Sequence, residues 1–401
     1  MTKTDRERQR KAPILRFKGF TDDWEQRELR EIAKKRTEKN RNLLTNNVLS
    51  NSAIYGIVKQ TEYFDKSIAN NIQNYHLVYE NDFVYNPRIS NNAPFGPISR
   101  NKLNELGIMS PLYLVFYFST KSLSDYLEIY FKSSKWHKFM YMNGNSGARS
   151  DRFAIKDNDF FRMKIKMPHS KDEINKIYKF NILLYKLLTL YERKKELLKK
   201  FQQGFSDILF KKNPKECVSL GDYFYFNKGK NIGNKDLINN GKYYAIVYGE
   251  LYTTYNYVIS KVFSKTSIKG FKGRKNDLLF PSSSTVPFGT ATCSALEIDN
   301  IELGNDIIVA RPKNTNELDS AFISYQINSK RKILYPIISG TTITHMYSKD
   351  LSKIRIWLPN ITTQNYISNI LQRISHLNIL VDKKVNILKE IKKEFLNTMF
   401  I

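Results

Sequence analysis

Two kinds of side chain that bind nucleic acids gather in the loops of this sequence. Lys and Arg neutralise phosphates, and Arg, Asn, Ser and Thr can pair with base edges. In the first half the candidates are Lys34, Lys35, Arg36, Arg41, Arg88, Ser90, Asn91, Asn92, Arg149, Ser150 and Arg152. In the second half they are Lys228, Lys230, Asn231, Lys272, Arg274, Lys275, Ser282, Ser283, Thr341, Thr342 and His345. For any one of these residues, a solvated loop position is the competing interpretation.

Catalytic motifs are missing from the sequence. It has neither the glycine-lysine loop that cradles a nucleoside triphosphate nor the strand-turn-helix elbow of a serine nucleophile. The 5 histidines are scattered, and the 2 cysteines, Cys217 and Cys293, have no metal-ligand spacing. The balance therefore favours a binding protein with no catalytic residue and no metal site of its own.

The charge balance points to a polyanionic partner. The formal net charge is +27, from 65 Lys and Arg against 38 Asp and Glu, and such an excess is self-repulsive unless a polyanion offsets it. Nucleic acid is the first candidate and an anionic membrane the second. No run of 18 apolar residues predicts a membrane span, and the basic arm 1–12 lacks the apolar stretch of a secretory signal. These features predict a cytoplasmic protein.

An internal repeat organises the chain. The stretch "LLKKFQQGFSDILF" ends the first half, and "ILKEIKKEFLNTMF" ends the second, so that Phe205 matches Phe395 at an offset of 190 (395 − 205). Earlier matches keep nearly the same offset: "NDFVYNP" with "NDLLFPS", "APFGPI" with "VPFGTA", and "ELREIA" with "SLGDYF". The shared order predicts two complete copies of one domain-plus-helix unit, which implies internal pseudo-two-fold symmetry.

Each half ends in a long helical pattern, at 171–210 and 362–400. The apolar positions alternate in steps of three and four, which is typical of a coiled-coil seam. The predicted seam comprises Ile177, Phe180, Leu184, Leu187, Tyr191, Lys194, Leu198, Phe201, Phe205, Ile367, Ile370, Ile374, Leu377, Val381, Lys384, Leu388, Ile391 and Phe395. Two helices of about 60 Å would most naturally pair antiparallel. A second apolar stripe, Leu183, Leu190, Leu197 and Ile208, is left for packing on a domain or on another protein.

The segments before each long helix mix short strands with loops. Stretches such as "YHLVYENDFVYNP" and "YLVFYFS" indicate strands, whereas "SLSDYLEIYFKSSKW" indicates a helix. We predict an α+β fold in which a pair of long antiparallel coiled-coil helices separates two globular domains. The predicted boundaries are a basic arm at 1–12, a first domain at 13–168, a helix at 169–214, a second domain at 215–359 and a helix at 360–401.

The whole layout resembles the specificity subunit of type I restriction-modification enzymes. The opening "PILRFKGFTDDWEQRELREIA" looks like the start of such subunits. "PHSKDEINKI" with "ERKKELLKKFQQGFSDILF" looks like their central conserved region, and "PNITTQNYIS" with "ILKEIKKEFLNTMF" looks like its C-terminal counterpart. The second half departs from the pattern, because nothing like "LRFKGF" precedes "SLGDYF" there, which leaves the start of that unit uncertain.

The resemblance implies a function for each part. Each globular domain would be a target recognition domain that reads one half of a bipartite, asymmetric DNA site. The helices would set the spacer and dock two modification subunits, which carry S-adenosylmethionine and methylate adenine. Restriction subunits would add ATP- and Mg-dependent translocation and cleavage. Two alternatives remain open: a stand-alone DNA-modifying enzyme, and a coiled-coil protein that binds RNA or has a structural role.

Overall fold

The structure is a computed structural model that describes residues 12–63, 71–145, 151–210, 217–286 and 288–401. The predicted basic arm therefore lies almost wholly outside the described residues. The chain divides into two compact units, Met1–Leu190 with Val385–Ile401, and Tyr191–Lys384. Each unit is described by itself below.

The first unit is built from short antiparallel strands. They are β1 Glu25–Glu28, β2 Ala33–Lys35, β3 Leu49–Ser52, β4 Gly56–Lys59, β5 His76–Val78, β6 Phe83–Tyr85, β7 Ile98–Arg100, β8 Gly107–Met109, β9 Leu114–Phe118 and β10 Lys164–Met167. The main sheet has the order β2-β9-β6-β7, and β3-β4, β5-β8 and β1-β10 form separate pairs. Apolar β-branched and aromatic residues, as in "LVFYF" of β9, favour these strands because their side chains pack well in a largely buried sheet.

Five short helices and the start of a long one complete this unit. They are α1 Leu29–Ile32, α2 Gln60–Tyr63, α3 Lys121–Tyr130, α4 His137–Asn143, α5 Asp157–Phe160 and α6 Lys171–Leu209. The α3 helix begins where the Thr120 side chain accepts a hydrogen bond from the Leu123 N–H. Its buried face packs on an aromatic core that includes Phe83, Phe116 and Phe160.

The second unit contains mixed sheets. Its strands are β11 Cys217–Ser219, β12 Phe224–Lys228, β13 Tyr243–Ile246, β14 Val258–Ile259, β15 Lys265–Thr266, β16 Phe271–Gly273, β17 Leu278–Pro281, β18 Ser283–Ser284, β19 Ser294–Leu296, β20 Ile301–Leu303, β21 Ile307–Pro312, β22 Ile338–Ser339, β23 Thr344–Met346 and β24 Arg355–Trp357. The sheet orders are β12-β21-β17-β19-β14, β15-β13-β20-β16, β18-β23-β22 and β11-β24. The β14–β19 and β13–β20 pairs are parallel.

Helices of the second unit cover its five-stranded sheet and lead into the second long helix. They are α7 Leu220–Tyr223, α8 Glu250–Thr253, α9 Ser320–Ser329, α10 Ser348–Leu351 and α11 Ile361–Thr398, with single 3₁₀ turns at Asn234–Asp236, Arg331–Ile333 and Tyr335–Ile337. The apolar α9 packs against β17, β19 and β24. Its Phe322 meets Phe210 from the end of α6 at a ring-centroid distance of 5.7 Å.

The sequence repeat corresponds to a repeat of structure. In the first unit β1 pairs antiparallel with β10, and in the second β11 pairs antiparallel with β24. The Leu29 N–H donates to the Met163 carbonyl at 2.8 Å, and the Leu220 N–H donates to the Ile354 carbonyl at 2.9 Å. Asn81 and Asn276, which begin the matched "ND" stretches, both have positive φ angles, of 69° and 70°. The α+β class and the duplicated layout predicted from the sequence are thus confirmed.

The two long helices pair antiparallel within each unit. In the first unit Phe180 stacks on Phe395 at a centroid distance of 4.4 Å, and Lys392 lies over the Tyr185 ring at 5.4 Å. As residue numbers rise along α6 they fall along α11. The predicted pair of antiparallel helices is therefore confirmed.

Polar contacts give the same direction in the second unit. Lys195 binds Asp382 at 2.9 Å, and Gln202 donates to the Ser375 hydroxyl at 3.1 Å. The Asn378 side-chain amide in turn donates to Oε1 of the Gln202 side chain at 2.7 Å.

At every second position of the predicted seam, the residue at the helix contact is not the predicted one but the one that follows it. Its members Ile177, Leu184 and their heptad equivalents lie at the helix contact, and Phe180 and Ile370 are half-buried. However, Leu187, Lys194, Phe201, Leu377, Lys384 and Ile391 are exposed. The following residues, Asn181, Leu188, Lys195, Gln202, Leu371, Asn378, Val385 and Lys392, are the less exposed ones. The sequence favoured the wrong phase because polar residues that bond across the helices occupy several half-buried positions, next to exposed apolar ones.

Candidate nucleic-acid interface

In the first unit, two of the predicted basic clusters lie side by side. Arg88 and Arg152 form an antiparallel bridge, the Ile89 N–H donates to the Asp151 carbonyl at 3.0 Å, and the Phe153 N–H donates to the Pro87 carbonyl at 2.8 Å. The Arg88 side chain is 66% exposed and lies 3.7 Å from Asp151. Two arginines from distant parts of the sequence are therefore held next to each other on the surface. Arg149 and Ser150 lie outside the described residues.

A cavity of about 690 Å³ lies beside these arginines. Its walls include Arg152, Lys35 from the end of β2, and His76 from the start of β5. The pKa of His76 is lowered, first by burial and then by the positive charges of Lys35 and Lys39. Lys35 also forms an ion pair of 2.5 Å with Asp157. The cavity thus brings Lys35, another predicted DNA-binding residue, close to Arg152 and its neighbour Arg88.

A second concavity of about 480 Å³ shares Lys35 and adds Arg30 and Arg162. Both arginines are exposed, and each lies near a carboxylate: Arg30 is 2.6 Å from Glu28, and Arg162 is 3.8 Å from Asp159. The sequence analysis missed these two residues. They belong to α1 and to a turn rather than to a polar loop, so that no local motif marks them.

Arg36 differs from its neighbours because it is held inside an ion pair. Its guanidinium donates to both oxygens of Asp82, at 2.9 and 3.2 Å, and it also lies over the rings of Tyr79 and Tyr117. Asp82 is almost fully buried, and burial raises its pKa although Arg36 opposes this. We interpret Arg36 as a residue that holds the fold together, and not as a DNA contact.

The other predicted residues of the first unit are exposed. Lys34 lies on β2, Arg41 follows it, and Ser90, Asn91 and Asn92 form a small turn. The turn is closed by two backbone hydrogen bonds between Ser90 and Ala93, at 3.0 and 3.1 Å. These side chains are available to a partner.

In the second unit two basic loops meet. The Asn231 amide donates to the Lys269 carbonyl at 3.2 Å, which joins the loop of Lys228 and Lys230 to the loop that leads into β16. Lys272 lies on β16 itself, and Arg274 and Lys275 directly follow that strand. All six of the predicted residues are exposed. The Asn231 backbone has a φ of 64°, a left-handed conformation that Asn tolerates better than most residues.

The hydroxyl-bearing candidates form a separate group on the β18-β23-β22 sheet. Ser283 pairs with His345 across the β18–β23 ladder, and Thr341 and Thr342 are exposed in the turn before β23. Ser283 is buried, Ser282 is half-buried, and His345 is exposed. Pro281 and Lys228 pair with the adjacent residues Ile307 and Ile308 of β21, so this group and the basic loops adjoin one end of the five-stranded sheet.

Other kinds of site are not found among the described residues. In that part of the chain no group of three His, Cys, Asp or Glu side chains is placed to hold a metal ion. None of the described helices combines the length and apolar character that a membrane span needs. Burial raises the pKa of the Cys293 thiol to about 12, which keeps it protonated and unreactive near neutral pH.

A comparison with models of protein families finds a match in the second half of the chain. Residues 212–393 match the family model described as type I restriction modification DNA specificity domain. The match covers 182 of the 401 residues (393 − 212 + 1). The resemblance found in the sequence is thereby confirmed.

Solved structures extend the likeness of fold to nearly the whole chain. The type I restriction-modification S subunit from M. genitalium matches with a TM-score of 0.61 and 14% identity, over 97% of this chain and 99% of that one. A chain from a type I R-M system matches with a TM-score of 0.49 and 13% identity, over 93% and 96%. The HsdS subunit from Thermoanaerobacter tengcongensis matches with a TM-score of 0.45 and 14% identity, over 94% and 96%. No match was found among curated proteins.

The specificity-domain match spans the second-unit candidates. The matched residues include both basic loops and the hydroxyl-bearing group. The first 190 residues lie outside the family match, and their likeness is one of fold and internal repeat.

Proposed function

We propose that this chain is the specificity subunit of a type I restriction-modification complex, in which each unit reads one half of a bipartite DNA site. The repeat carries this proposal. The two units share an architecture but carry different polar residues: arginines around a cavity in the first, and lysines with Ser, Thr and His in the second. Because the two units would contact DNA with different side chains, their half-sites should differ in sequence. The target site should therefore be asymmetric. DNA as the target also implies the cytoplasmic location expected from the sequence.

The long helices support a proposal about the partner subunits. Within the first unit the exposed apolar residues Leu187, Leu190, Ile387 and Ile391 form what we name the first helix patch. The second helix patch, within the second unit, comprises Leu377, Leu380, Leu197 and Phe201.

Each member of one patch lies 190 positions from its counterpart in the other (377 − 187, 380 − 190, 387 − 197, 391 − 201). Exposed apolar surface of this kind marks protein interfaces. Two equivalent patches fit two copies of one partner, which we identify with the modification subunits.

Cofactors would then belong to the partners. The modification subunits would bring S-adenosylmethionine, and the restriction subunits would bring ATP and Mg for translocation and cleavage. This chain would supply sequence-independent affinity through its positive charge, and discrimination through polar loop residues.

Methylation sequencing tests the proposal. DNA is taken from cells that express the chain with its modification subunit, and from cells that lack only the chain. A methyladenine motif of two unlike halves with a fixed gap, present only with the chain, is expected. If the modification subunit is expressed and competent but no chain-dependent motif appears, the proposal is wrong. Covalent change of DNA by the purified chain alone would favour a stand-alone modifying enzyme instead.

A further inference from the structure

The cavity of the first unit has the composition of a small-ligand site. At about 690 Å³ it lies within the range of proteins' ligand pockets. Tyr113 and Phe153 contribute aromatic walls, and Leu112 and Met142 add apolar surface. Lys35 and Arg152 bring positive charge to the same cavity. Its ligand should therefore combine a flat apolar face with negative charge.

Tyr85 contributes a buried polar group to this wall. The residue is 4% exposed, its ring stacks on Phe160 at 5.3 Å, and its hydroxyl finds no hydrogen-bond partner among the described residues. A buried hydroxyl without a partner destabilises a fold. The Nδ1 atom of His76, in the same wall, also lacks a partner among the described residues.

The internal repeat shows that the fold does not require this hydroxyl. Tyr85 in "NDFVYNP" corresponds to Phe280 in "NDLLFPS". Both residues lie in a central strand, β6 or β17, and Phe280 is fully buried without any hydroxyl. Packing therefore does not explain the Tyr85 hydroxyl, and a ligand in the adjoining cavity would supply the partner that the described residues do not.

A nucleotide combines the flat apolar face and the negative charge that complement this cavity. Its base offers a flat aromatic face for stacking and edge atoms that bond to a hydroxyl or an imidazole nitrogen, and its phosphate suits the guanidinium groups of Arg88 and Arg152. Proteins that take a base out of a duplex hold it in an apolar, aromatic pocket of this type.

We propose that the first unit binds one unpaired nucleotide, extruded from the DNA half-site, in the cavity between Tyr85, Tyr113 and Arg152. This inference rests on the proposed function. A free nucleotide has the same chemistry, and the experiment separates the two sources.

The test uses the full chain in complex with its modification subunits. A fluorescent base analogue is placed in turn at each position of the half-site, except at the methylated adenine, which the partner subunits handle. One position is expected to report unstacking when the complex binds. In the variant Leu112→Trp, which fills the cavity, this signal should vanish, and the affinity for the duplex should fall about tenfold.

Tyr85→Phe separates a ligand role from a structural one. Because the hydroxyl has no partner among the residues that the structure describes, its removal should leave the melting temperature unchanged or higher, while the affinity for DNA falls about three- to tenfold. Tyr141→Phe, at an exposed tyrosine of the same unit, should change neither. A lower melting temperature with an unchanged affinity for DNA would overturn the proposal.

Other outcomes are equally decisive. If sequence-specific binding persists but no position reports unstacking, the extrusion is wrong while the proposed function stands. Saturable binding of deoxynucleoside monophosphates that Leu112→Trp abolishes, without any unstacking, would identify a free nucleotide as the ligand and overturn extrusion. If the complex shows no sequence preference, the proposed function fails, and the monophosphate titration alone decides whether the cavity binds a nucleotide.

Discussion

Two arginines of the same sequence class have opposite environments at the residue scale. Arg152 borders an open cavity, whereas Arg36 is fixed by the buried carboxylate of Asp82. Both were predicted as DNA contacts, because charge and loop context are all that a local sequence provides. The partner of Arg36 lies 46 residues away in the chain. Only the folded chain shows that this charge is already neutralised.

Arg152→Gln is expected to weaken DNA binding. The loss of one phosphate contact should lower the affinity about tenfold and reduce the slope of log K against log salt by about 0.9. Fluorescence anisotropy at several salt concentrations measures both quantities. Lys18→Gln, at an exposed lysine in the same unit, is the control. An unchanged slope would contradict a role for Arg152 at the phosphates.

Arg36→Gln should instead destabilise the fold. It leaves the carboxylate of Asp82 buried without its bidentate partner, and breaking such a pair costs about 3–5 kcal/mol. The midpoint of urea unfolding should fall in this variant and stay constant in Lys34→Gln, whose side chain is exposed. Equal midpoints for both variants would contradict the structural role.

His76 predicts a dependence of stability on pH. Its pKa is lowered in the folded chain, chiefly by burial. Below the ordinary pKa of about 6.5, the unfolded chain binds a proton that the folded chain resists, so stability falls as the pH falls. In His76→Gln the urea midpoint should drop less between pH 7.5 and pH 5.5 than in the unaltered chain. An equal drop in both proteins would show that His76 is not responsible.

At the scale of elements, the sequence predicted the helices well and their contact face only partly. The predicted ranges 171–210 and 362–400 agree within two residues with Lys171–Leu209 and Ile361–Thr398. The error lies in the phase. Both phases alternate in steps of three and four residues. Apolarity alone cannot show that Gln202 is half-buried whereas Phe201 is exposed. The Ser375 and Asn378 partners of Gln202 decide the matter.

The exposed apolar residues make a prediction about stoichiometry. Leu187→Asp with Leu190→Asp should prevent docking at the first helix patch, because charge is costly to bury in an apolar interface. Native mass spectrometry should then find one modification subunit per chain in place of two. Leu377→Asp with Leu380→Asp should act in the same way at the second helix patch, and all four changes together should leave none.

Lys186→Asp, at an exposed polar position of the same helix, is the matched control and should keep both copies. If two copies remain in all of the variants, the modification subunits dock elsewhere.

The length of the helix pair makes a separate prediction. Seven residues inserted into both helices preserve the alternation of three and four and add about 10 Å. On B-DNA this corresponds to about three base pairs, so the gap in the methylated motif should lengthen. The same seven residues inserted into the loop at Asn314 should leave the gap unchanged. An unaltered gap after insertion into both helices would refute a spacer role for the helices.

At the scale of the whole molecule, the repeat was the strongest signal in the sequence. Matched stretches such as "NDFVYNP" and "NDLLFPS" predicted two units, and the structure has two units with equivalent closing strand pairs. What distinguishes the units could not be predicted in the same way. The cavity near Tyr85 is assembled from segments between residues 35 and 159, and no local pattern encodes such a juxtaposition.

The base sequence of the target also depends on structure rather than on residue type. Direct readout requires a side chain at a defined place in a groove, and DNA deformability adds further selectivity. The polar residues identified here therefore predict which surfaces contact DNA, and not which bases they select.

Exchange of one domain tests the central claim most directly. Residues 215–359 are replaced by the equivalent segment of a specificity subunit with another target, and the methylated motif is sequenced in cells that express the modification subunit. We predict that one half of the motif changes to the donor's half-site, while the other half and the gap stay as they were. A motif that changes in both halves, or in neither, would contradict the account of two independent half-site readers.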